Sequence, residues 1–431
     1  MTLETPNLAG QKAETCDVLV IGGGPGGAAA ATLLVQAGLK VVIVEKDKHP
    51  RFHIGESLLP HTLPILESLG ILDRVREIGL HKPGAEFISE DGEKTVRFHF
   101  DRALTDGPDH AYQVIRQDFD KLLFDRAREV GAIALEETVA EIISCDDTEA
   151  LVQTRPASGD GPGEPRLFRA DFLVDASGRS TLTAKMRRER EPDPRNTSAA
   201  IFGHFHGVPR ANGPEGGNIR IHLTRPGWMW QIPLPNGATS IGLVAPSAHL
   251  AKRDCGLEQY FRAHCTKHPE IARMVEHATL AAPMQGTGNF SYRAKNATGP
   301  GHIKVGDAYG FIDPIFSTGV HLALNSAKEA TRAILQSRKR PKDRARLMTA
   351  YDAHIQWRLG YVSWFIYNIH DPAFREMLLN PRDILGIEKA VISLLAGDFR
   401  PDLRIRSRIW LFKAFRRLIE YRNAKRGLEH A

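Results

Sequence analysis

The apolar run 17–21 leads straight into Gly22-Gly23-Gly24-Pro25-Gly26-Gly27, and this junction restricts what the chain can fold into more than any other feature. The six residues satisfy GxGxxG, a helical stretch from about 26 to 37 follows them, and a second apolar run occupies 41–45. Strand, glycine turn, helix and strand make a βαβ unit, the context in which the pattern becomes specific for a dinucleotide. Gly22 permits the tight turn, Gly24 lets backbone amides approach a pyrophosphate, and Gly27 allows the helix to pack closely. The positive end of the helix dipole favours the phosphate charge. Glu45 stands 21 residues after Gly24 at the end of the second strand, where a carboxylate accepts both hydroxyl hydrogens of a ribose. Lys46 follows it as a further cofactor contact. These residues alone accommodate either NAD or FAD.

Downstream, 118–130 has helical spacing, and 172–175 reads as a buried strand ending in Ala176-Ser177-Gly178. The polar Gly/Pro stretch 156–165 reads as a hairpin tip. From about 199 to 246 the pattern changes: 219–223, 228–234 and 239–244 predict antiparallel strands, the last two joined at Pro235-Asn236-Gly237. After Gly301 the α/β character returns with 303–305, a loop, and a helix from about 319 to 336. Beyond Lys342 the chain reads helical almost to its end, with breaks at Asp371-Pro372 and Asn380-Pro381. No internal repeat is found.

A chain of 431 residues exceeds the roughly 250 to 300 at which single cores stop growing, so at least two subdomains are expected. Its 42% hydrophobic and 25% charged residues exclude collagen-like, disordered and disulfide-rich classes. No run of about 18 apolar residues occurs, and 1–16 lack an apolar core behind a basic start, so a cytoplasmic location is expected. Cys16, Cys145, Cys255 and Cys265 lie far apart and form no CxxC pair, which predicts reduced thiols and no metal site. His264 and His268 flank Cys265, but without a second ligand pair a surface helix is the preferred reading. The net charge of +6 is concentrated in 400–431, where ten Lys or Arg residues face Asp402, Glu420 and Glu429. Leu411, Phe412, Phe415, Leu418 and Ile419 recur at helical spacing, so this tail reads as an amphipathic helix packed on the body. Docking to a membrane surface or a carrier protein is the alternative use of its basic face. No nucleic-acid partner is expected.

Three segments point to FAD. Val305-Gly306-Asp307-Ala308, followed by Pro314, resembles the second FAD motif of the p-hydroxybenzoate hydroxylase superfamily. Asp175-Ala176-Ser177-Gly178 resembles its middle motif, and Arg116 with Phe119 and Asp120 its RxxFD element. The resemblance implies that Asp307 contacts the ribityl chain and that the following loop lies against the flavin ring. It also makes Arg116, Asp175, Gly306, Pro314, Gly319 and Val320 cofactor contacts. The chemistry agrees, since a carboxylate bonds a polyol and a helix start favours the negative charge that collects on the flavin pyrimidine on reduction.

Gly227-Trp228-Met229-Trp230-Gln231-Ile232-Pro233 matches GWxWxIP, and here the chain resembles the flavin-dependent halogenases. Tryptophans at i and i+2 of one strand point the same way and make an indole wall, which in the family's account keeps substrate away from the flavin. Phe52-His53-Ile54-Gly55-Glu56-Ser57-Leu58-Leu59-Pro60 resembles the family's FxxGESLLP stretch. Asp313-Pro314-Ile315-Phe316-Ser317-Thr318-Gly319-Val320-His321 resembles its halide loop, which implies a halide at Ser317, Thr318 and Gly319. Amides at a helix start bind a small anion without a cationic side chain. Gly79-Leu80-His81-Lys82-Pro83-Gly84-Ala85 resembles the segment carrying the active-site lysine, which places Lys82 in that role beside Trp228 and Trp230. Phe316 stands where tryptophan halogenases carry a glutamate, a departure that matches the branch acting on phenols, pyrroles or carrier-bound acyl groups.

The resemblance spans about 17–381 and implies an α/β fold: a Rossmann-type FAD-binding domain, an antiparallel-sheet substrate domain and a helical C-terminal region. The expected division is 1–195 for FAD, with sheet segments near 85–115 joining the substrate domain of 196–295. A return to the FAD domain at 296–340 and a helical region with the basic tail at 341–431 complete it. The implied activity uses reduced FAD, dioxygen and chloride or bromide to halogenate an electron-rich aromatic. With no second GxGxxG for NADPH, a separate flavin reductase is the expected source of reduced FAD. The alternatives are a related monooxygenase, a reductase of isoprenoid double bonds, and a flavin-binding accessory protein of a biosynthetic assembly. Tyr351, Trp357, Tyr361, Trp364, Phe365 and Tyr367 read equally well as pocket lining and as helical core.

Overall fold

The structure is a computed structural model describing residues 12–158 and 164–429. Its first sheet runs from edge to edge as Thr298–Gly299, His302–Lys304, Arg166–Asp175, Glu14–Ile21, Val41–Val44 and Ile133–Leu135. The four strands from His302–Lys304 to Val41–Val44 are parallel, and Ile133–Leu135 adds a fifth. Val18, Leu19 and Val20 are completely buried because both faces of this sheet are covered, which is why the strand reads as a continuous apolar run. Helices Pro25–Gln36, Arg116–Glu129 and Thr318–Lys339 pack together on one face. The antiparallel strands Thr138–Cys145 and Ala150–Pro156 bring Ala140 and Val152 to the other, against Leu19, Val42 and Leu173. The hairpin predicted at 156–165 joins Ala150–Pro156 to Arg166–Asp175, and residues 159–163 of its tip lie outside the described residues.

The second sheet is ordered Thr279–Leu280, Ser198–His206, Thr239–Pro246, Trp228–Pro233, Ile219–Leu223, Gly84–Ile88 and Thr95–His99. It is antiparallel except between Ile219–Leu223 and Gly84–Ile88, which run parallel with Ile219 opposite Ala85. That exception arises because 84–99 come from the first half of the chain through a long crossover, as a parallel pair requires. Every residue of Trp228–Pro233 is buried. Alternation sends Met229 to the outer face, against Phe261 and Cys265 of helix Leu257–Cys265, while Trp228 and Trp230 face the core shared with the first sheet.

Two expectations are corrected in detail. Cys265 is completely buried in that outer core rather than on a surface face, and burial pushes its thiol up to about 12. His264 and His268 are buried beside it, and among the described residues no group of three ligands could hold a metal. The basic helix Leu403–Glu429 packs through Ile405, Ile409 and Phe412 onto Ile387–Leu395 and Pro372–Leu379. Its predicted apolar stripe does not continue: Leu418 is exposed, as are Leu403, Trp410 and Tyr421. Among the described residues no helix is long and apolar enough to cross a membrane.

Candidate active site

The glycine turn has the stereochemistry its spacing requires. Gly22 has φ +107°, and a Cβ there would sit 2.2 Å from the Ala176 carbonyl oxygen. A Cβ on Gly27 would lie 1.8 Å from the Gly22 carbonyl oxygen, so the helix starts in direct contact with the turn. Gly24 differs: a Cβ would meet only the Arg51 guanidinium, at 3.6 Å, so its bareness serves the space in front of the turn rather than the fold. Glu45 is buried and accepts from the Gly23 amide at 2.6 Å and the Asp47 amide at 3.0 Å. Arg51 bridges it to Asp120 at 3.4 and 3.3 Å. Lys46 is exposed beyond the strand end.

Arg116 donates both to Asp120, at 2.8 and 2.9 Å, and to the Ile54 carbonyl at 2.6 Å, which fastens the 52–60 segment to helix Arg116–Glu129. Asp175 is fully buried and accepts from the Ser177 amide, the Thr183 amide and the Thr183 hydroxyl, so it holds the turn after its strand. Gly306 has φ +57° and donates its amide to Ser326 Oγ at 2.9 Å. Asp307 beside it is half-buried and its carboxylate has no hydrogen bond among the described residues. Burial pushes its pKa up to about 6, against the opposing fields of Arg116 and Arg179. An open amide cradle, a carboxylate at the strand end and a free carboxyl group near Arg116 are the donor and acceptor set that FAD requires for its pyrophosphate, ribose and ribityl chain.

The loop from Asp313 leads into helix Thr318–Lys339 through Ser317, which adopts a left-handed conformation at φ +55° and donates its amide to the Pro314 carbonyl. Thr318 and Val320 are buried, Gly319 and Pro314 half-buried. Phe316 packs between Phe87 and Phe365, with ring centroids 6.5 and 6.4 Å away. Asp313 accepts from Asn196 at 3.3 Å and from the Ile315 amide at 3.1 Å; burial pushes its carboxyl up to about 7, against the lowering effect of Asn196, the Ile315 amide and Trp228. Trp228 and Trp230 stand on the same side of their strand, centroids 5.9 Å apart, and Trp230 donates from Nε1 to Ser240 Oγ at 3.1 Å.

Lys82 ends the strand Leu80–Lys82 and is 1% exposed. Its Nζ donates to the Leu58 carbonyl at 2.8 Å and lies 5.3 Å from the centroid of Phe100. Among the described residues no carboxylate pairs with it, and burial pushes its pKa down to about 7. Three residues without a role foreseen from the sequence, Glu56, His204 and Asn196, complete the region. Glu56 is 1% exposed and meets His204 Nε2 of strand Ser198–His206 at 3.0 Å, and Asn196 bridges to Asp313. Glu56 lies within the FxxGESLLP stretch, which could have drawn attention to it; His204, an isolated strand histidine, gave no signal. The aromatic residues of helix Arg344–Asn368 pack mainly as core: Phe365 against Phe374 and Phe412, Trp357 against Tyr361, and Tyr351 onto the Lys304 carbonyl.

The family profile described as FAD binding domain matches residues 15–349. A flavin-dependent halogenase of Armillaria mellea is 34% identical over 366 residues, covering 79% of this chain and 68% of its own. The chain belongs to the flavin-dependent halogenases. The 1H-pyrrole-2-carbonyl-[peptidyl-carrier protein] chlorinase of Pseudomonas fluorescens is 29% identical to this halogenase, with 90% of each chain covered. Among solved structures, a flavoprotein/dehydrogenase from Cytophaga hutchinsonii superposes with a TM-score of 0.84 and 28% identity, covering 95% and 100% of the two chains. A triple mutant of the flavin-dependent brominase Bmp2 does so with 0.80 and 27% identity over the same shares. The halogenase is a flavin-dependent oxidoreductase with FAD as cofactor and halide as co-substrate.

Proposed function

We propose that this halogenase acts on a phenol, a pyrrole or a carrier-bound aromatic acyl group, with Lys82 as the residue that presents the oxidised halogen. The observation that carries this reading is Lys82 itself, a buried lysine without an acidic partner among the described residues, whose amine is available near neutral pH. Bound reduced FAD supplies the activation of dioxygen that converts halide to hypohalous acid. The amides of Thr318 and Gly319 hold the halide at the start of helix Thr318–Lys339, with Ser317 beside them but its own amide engaged by the Pro314 carbonyl. Trp228 and Trp230 keep the aromatic substrate on the far side from the flavin. Lys82 then positions or captures hypohalous acid, and an electron-rich ring attacks the halogen. Positioning matters most, because free hypohalite oxidises indiscriminately.

The carrier-bound alternative draws on the name of the Pseudomonas relative, and the exposed arginines and Trp410 of helix Leu403–Glu429 supply a basic face for an acidic carrier. A separate reductase delivers the reduced flavin, and the enzyme works in the cytoplasm. The dehydrogenase name of the Cytophaga protein supports a second reading, reduction or oxygenation without halogenation. Lys82→Ala tests the first: flavin oxidation by dioxygen continues and halogenated product disappears. Wild-type halogenation by that variant contradicts it.

A further inference from the structure

Among the described residues nine large apolar side chains are exposed, and six of them stand on helix Leu403–Glu429 or on the turn beside it. Leu403, Trp410, Leu418 and Tyr421 are on the helix, and Ile384 and Leu385 form the turn, whose Leu385 carbonyl accepts from Arg408 Nε at 3.2 Å. Apart from Ile384, they are between 62 and 77% exposed. Apolar exposure scattered singly is ordinary, but exposure concentrated on one element marks an interaction surface. The opposite face of the helix is already buried through Ile405, Ile409 and Phe412, so this second apolar face has no partner within the described residues.

At 3.6 residues per turn, Leu403, Trp410 and Tyr421 lie within about 20° of one line along the helix, a row about 27 Å long, with Leu418 about 60° to one side. Arg406, Arg417 and Lys425 flank that line within about 60°. The other cations are engaged: Arg404 with Asp402, Arg416 with Asp371 and Glu420, and Arg422 with Glu376. Arg406, Arg417 and Lys425 are exposed and form no ion pair among the described residues. Glu420 is the one acid between 403 and 425, and it lies about 100° round the helix from the row. The outer face therefore carries aliphatic and aromatic groups with unanswered positive charge along both edges.

We infer that this face docks the enzyme on an anionic phospholipid surface, with Leu403, Trp410 and Tyr421 among the headgroups and Arg406, Arg417 and Lys425 on the phosphates. Tryptophan, tyrosine and leucine beside long basic side chains make up helices that lie in the headgroup layer, where the basic stems cover apolar surface and their charges reach the phosphates. A second copy of the chain does not fit, because a two-fold contact along the row would set the three free cations against their own copies. An acidic protein would answer the charge but would need a groove matched to the projecting row, whereas a fluid headgroup layer takes it in directly. The inference rests on the helix and not on the substrate reading.

Co-sedimentation of the FAD-loaded enzyme with vesicles tests this, one set of phosphatidylcholine alone and one with a third of phosphatidylglycerol. At low ionic strength the enzyme binds the anionic vesicles at least tenfold more strongly than the neutral ones, and added salt releases it. Trp410→Ser with Tyr421→Ser weakens that binding at least tenfold, and so, separately, does Arg406→Gln with Arg417→Gln. All four side chains are exposed, so circular dichroism of both variants matches wild type; should either lose its fold, the single change Trp410→Ser or Arg406→Gln takes its place. Equal binding to the two vesicle types overturns the inference, as does wild-type binding by either variant. An enzyme left in the supernatant of the anionic vesicles also overturns it: retention on an immobilised acidic carrier protein then assigns the face to a protein partner, and a dimer that Trp410→Ser dissociates assigns it to a second copy.

Discussion

Lys82 and Leu58 meet through one hydrogen bond, from Nζ to the carbonyl oxygen at 2.8 Å, and that bond joins the strand carrying the lysine to the segment that Arg116 fastens to helix Arg116–Glu129. The lysine is held by a backbone carbonyl and an aromatic face rather than by a carboxylate, so its charge is poorly supported. Unfolded, the side chain keeps its proton to about pH 10.4; folded, it loses it near pH 7. Between these values the unfolded state holds more protons, so stability rises with pH across that window, by up to about 1.4 kcal/mol per unit. Lys82→Met should flatten this rise in denaturant titrations at pH 7 to 9. An unchanged slope would mean that the amine stays protonated when buried.

Gly24→Val should abolish FAD binding while leaving the fold intact, because a Cβ there meets only the Arg51 guanidinium, at 3.6 Å, and the side chain otherwise fills the phosphate cradle. Gly27→Ala is the contrast, since its Cβ would strike the Gly22 carbonyl and destabilise the βαβ unit itself. Circular dichroism with flavin fluorescence separates the two. A folded Gly24→Val protein with wild-type FAD affinity would move the phosphate elsewhere.

Asp313 behaves in the opposite sense to Lys82. Its carboxyl titrates near pH 4 when unfolded and near pH 7 when folded. Between these the folded state holds more protons, so this residue's contribution falls as pH rises from 4 to 7. In Asp313→Asn the loss should be absent, so the stability difference between variant and wild type grows in the variant's favour across that range. A pH-independent difference would show that the carboxyl is ionised throughout.

The βαβ unit and the indole wall were legible because both are written in local patterns: a glycine turn between two apolar runs, and two tryptophans two residues apart on one strand. The parallel pairing of Ile219 with Ala85 and the meeting of Glu56 with His204 depend on contacts made across the chain, which no local period encodes. The burial that shifts Lys82 and Asp313 arises the same way, from elements that pack over them only in the folded chain. The aromatic residues of helix Arg344–Asn368 could be read from the sequence as pocket or core alike, and most of them face the core.

Replacing Trp228 and Trp230 together by alanine should uncouple oxygen consumption from halogenation. The loss of two buried indoles costs about 3 to 5 kcal/mol each, so a gentler variant is needed beside it. Gly242→Ala places a Cβ 2.2 Å from the Trp230 ring and must displace it without removing it. Partial uncoupling in folded Gly242→Ala is the expected result, measured as peroxide released per flavin oxidised. Wild-type coupling in a folded double-alanine protein would remove the wall from the mechanism.

The most direct measurement is the product mass from purified enzyme supplied with FAD, a flavin reductase with NADH, dioxygen and either chloride or bromide, over phenolic, pyrrolic and carrier-bound acyl substrates. The expected result is a product carrying the halogen isotope pattern, dependent on halide and absent with Lys82→Ala. A product gaining oxygen or two hydrogens instead, with halide making no difference, would contradict it.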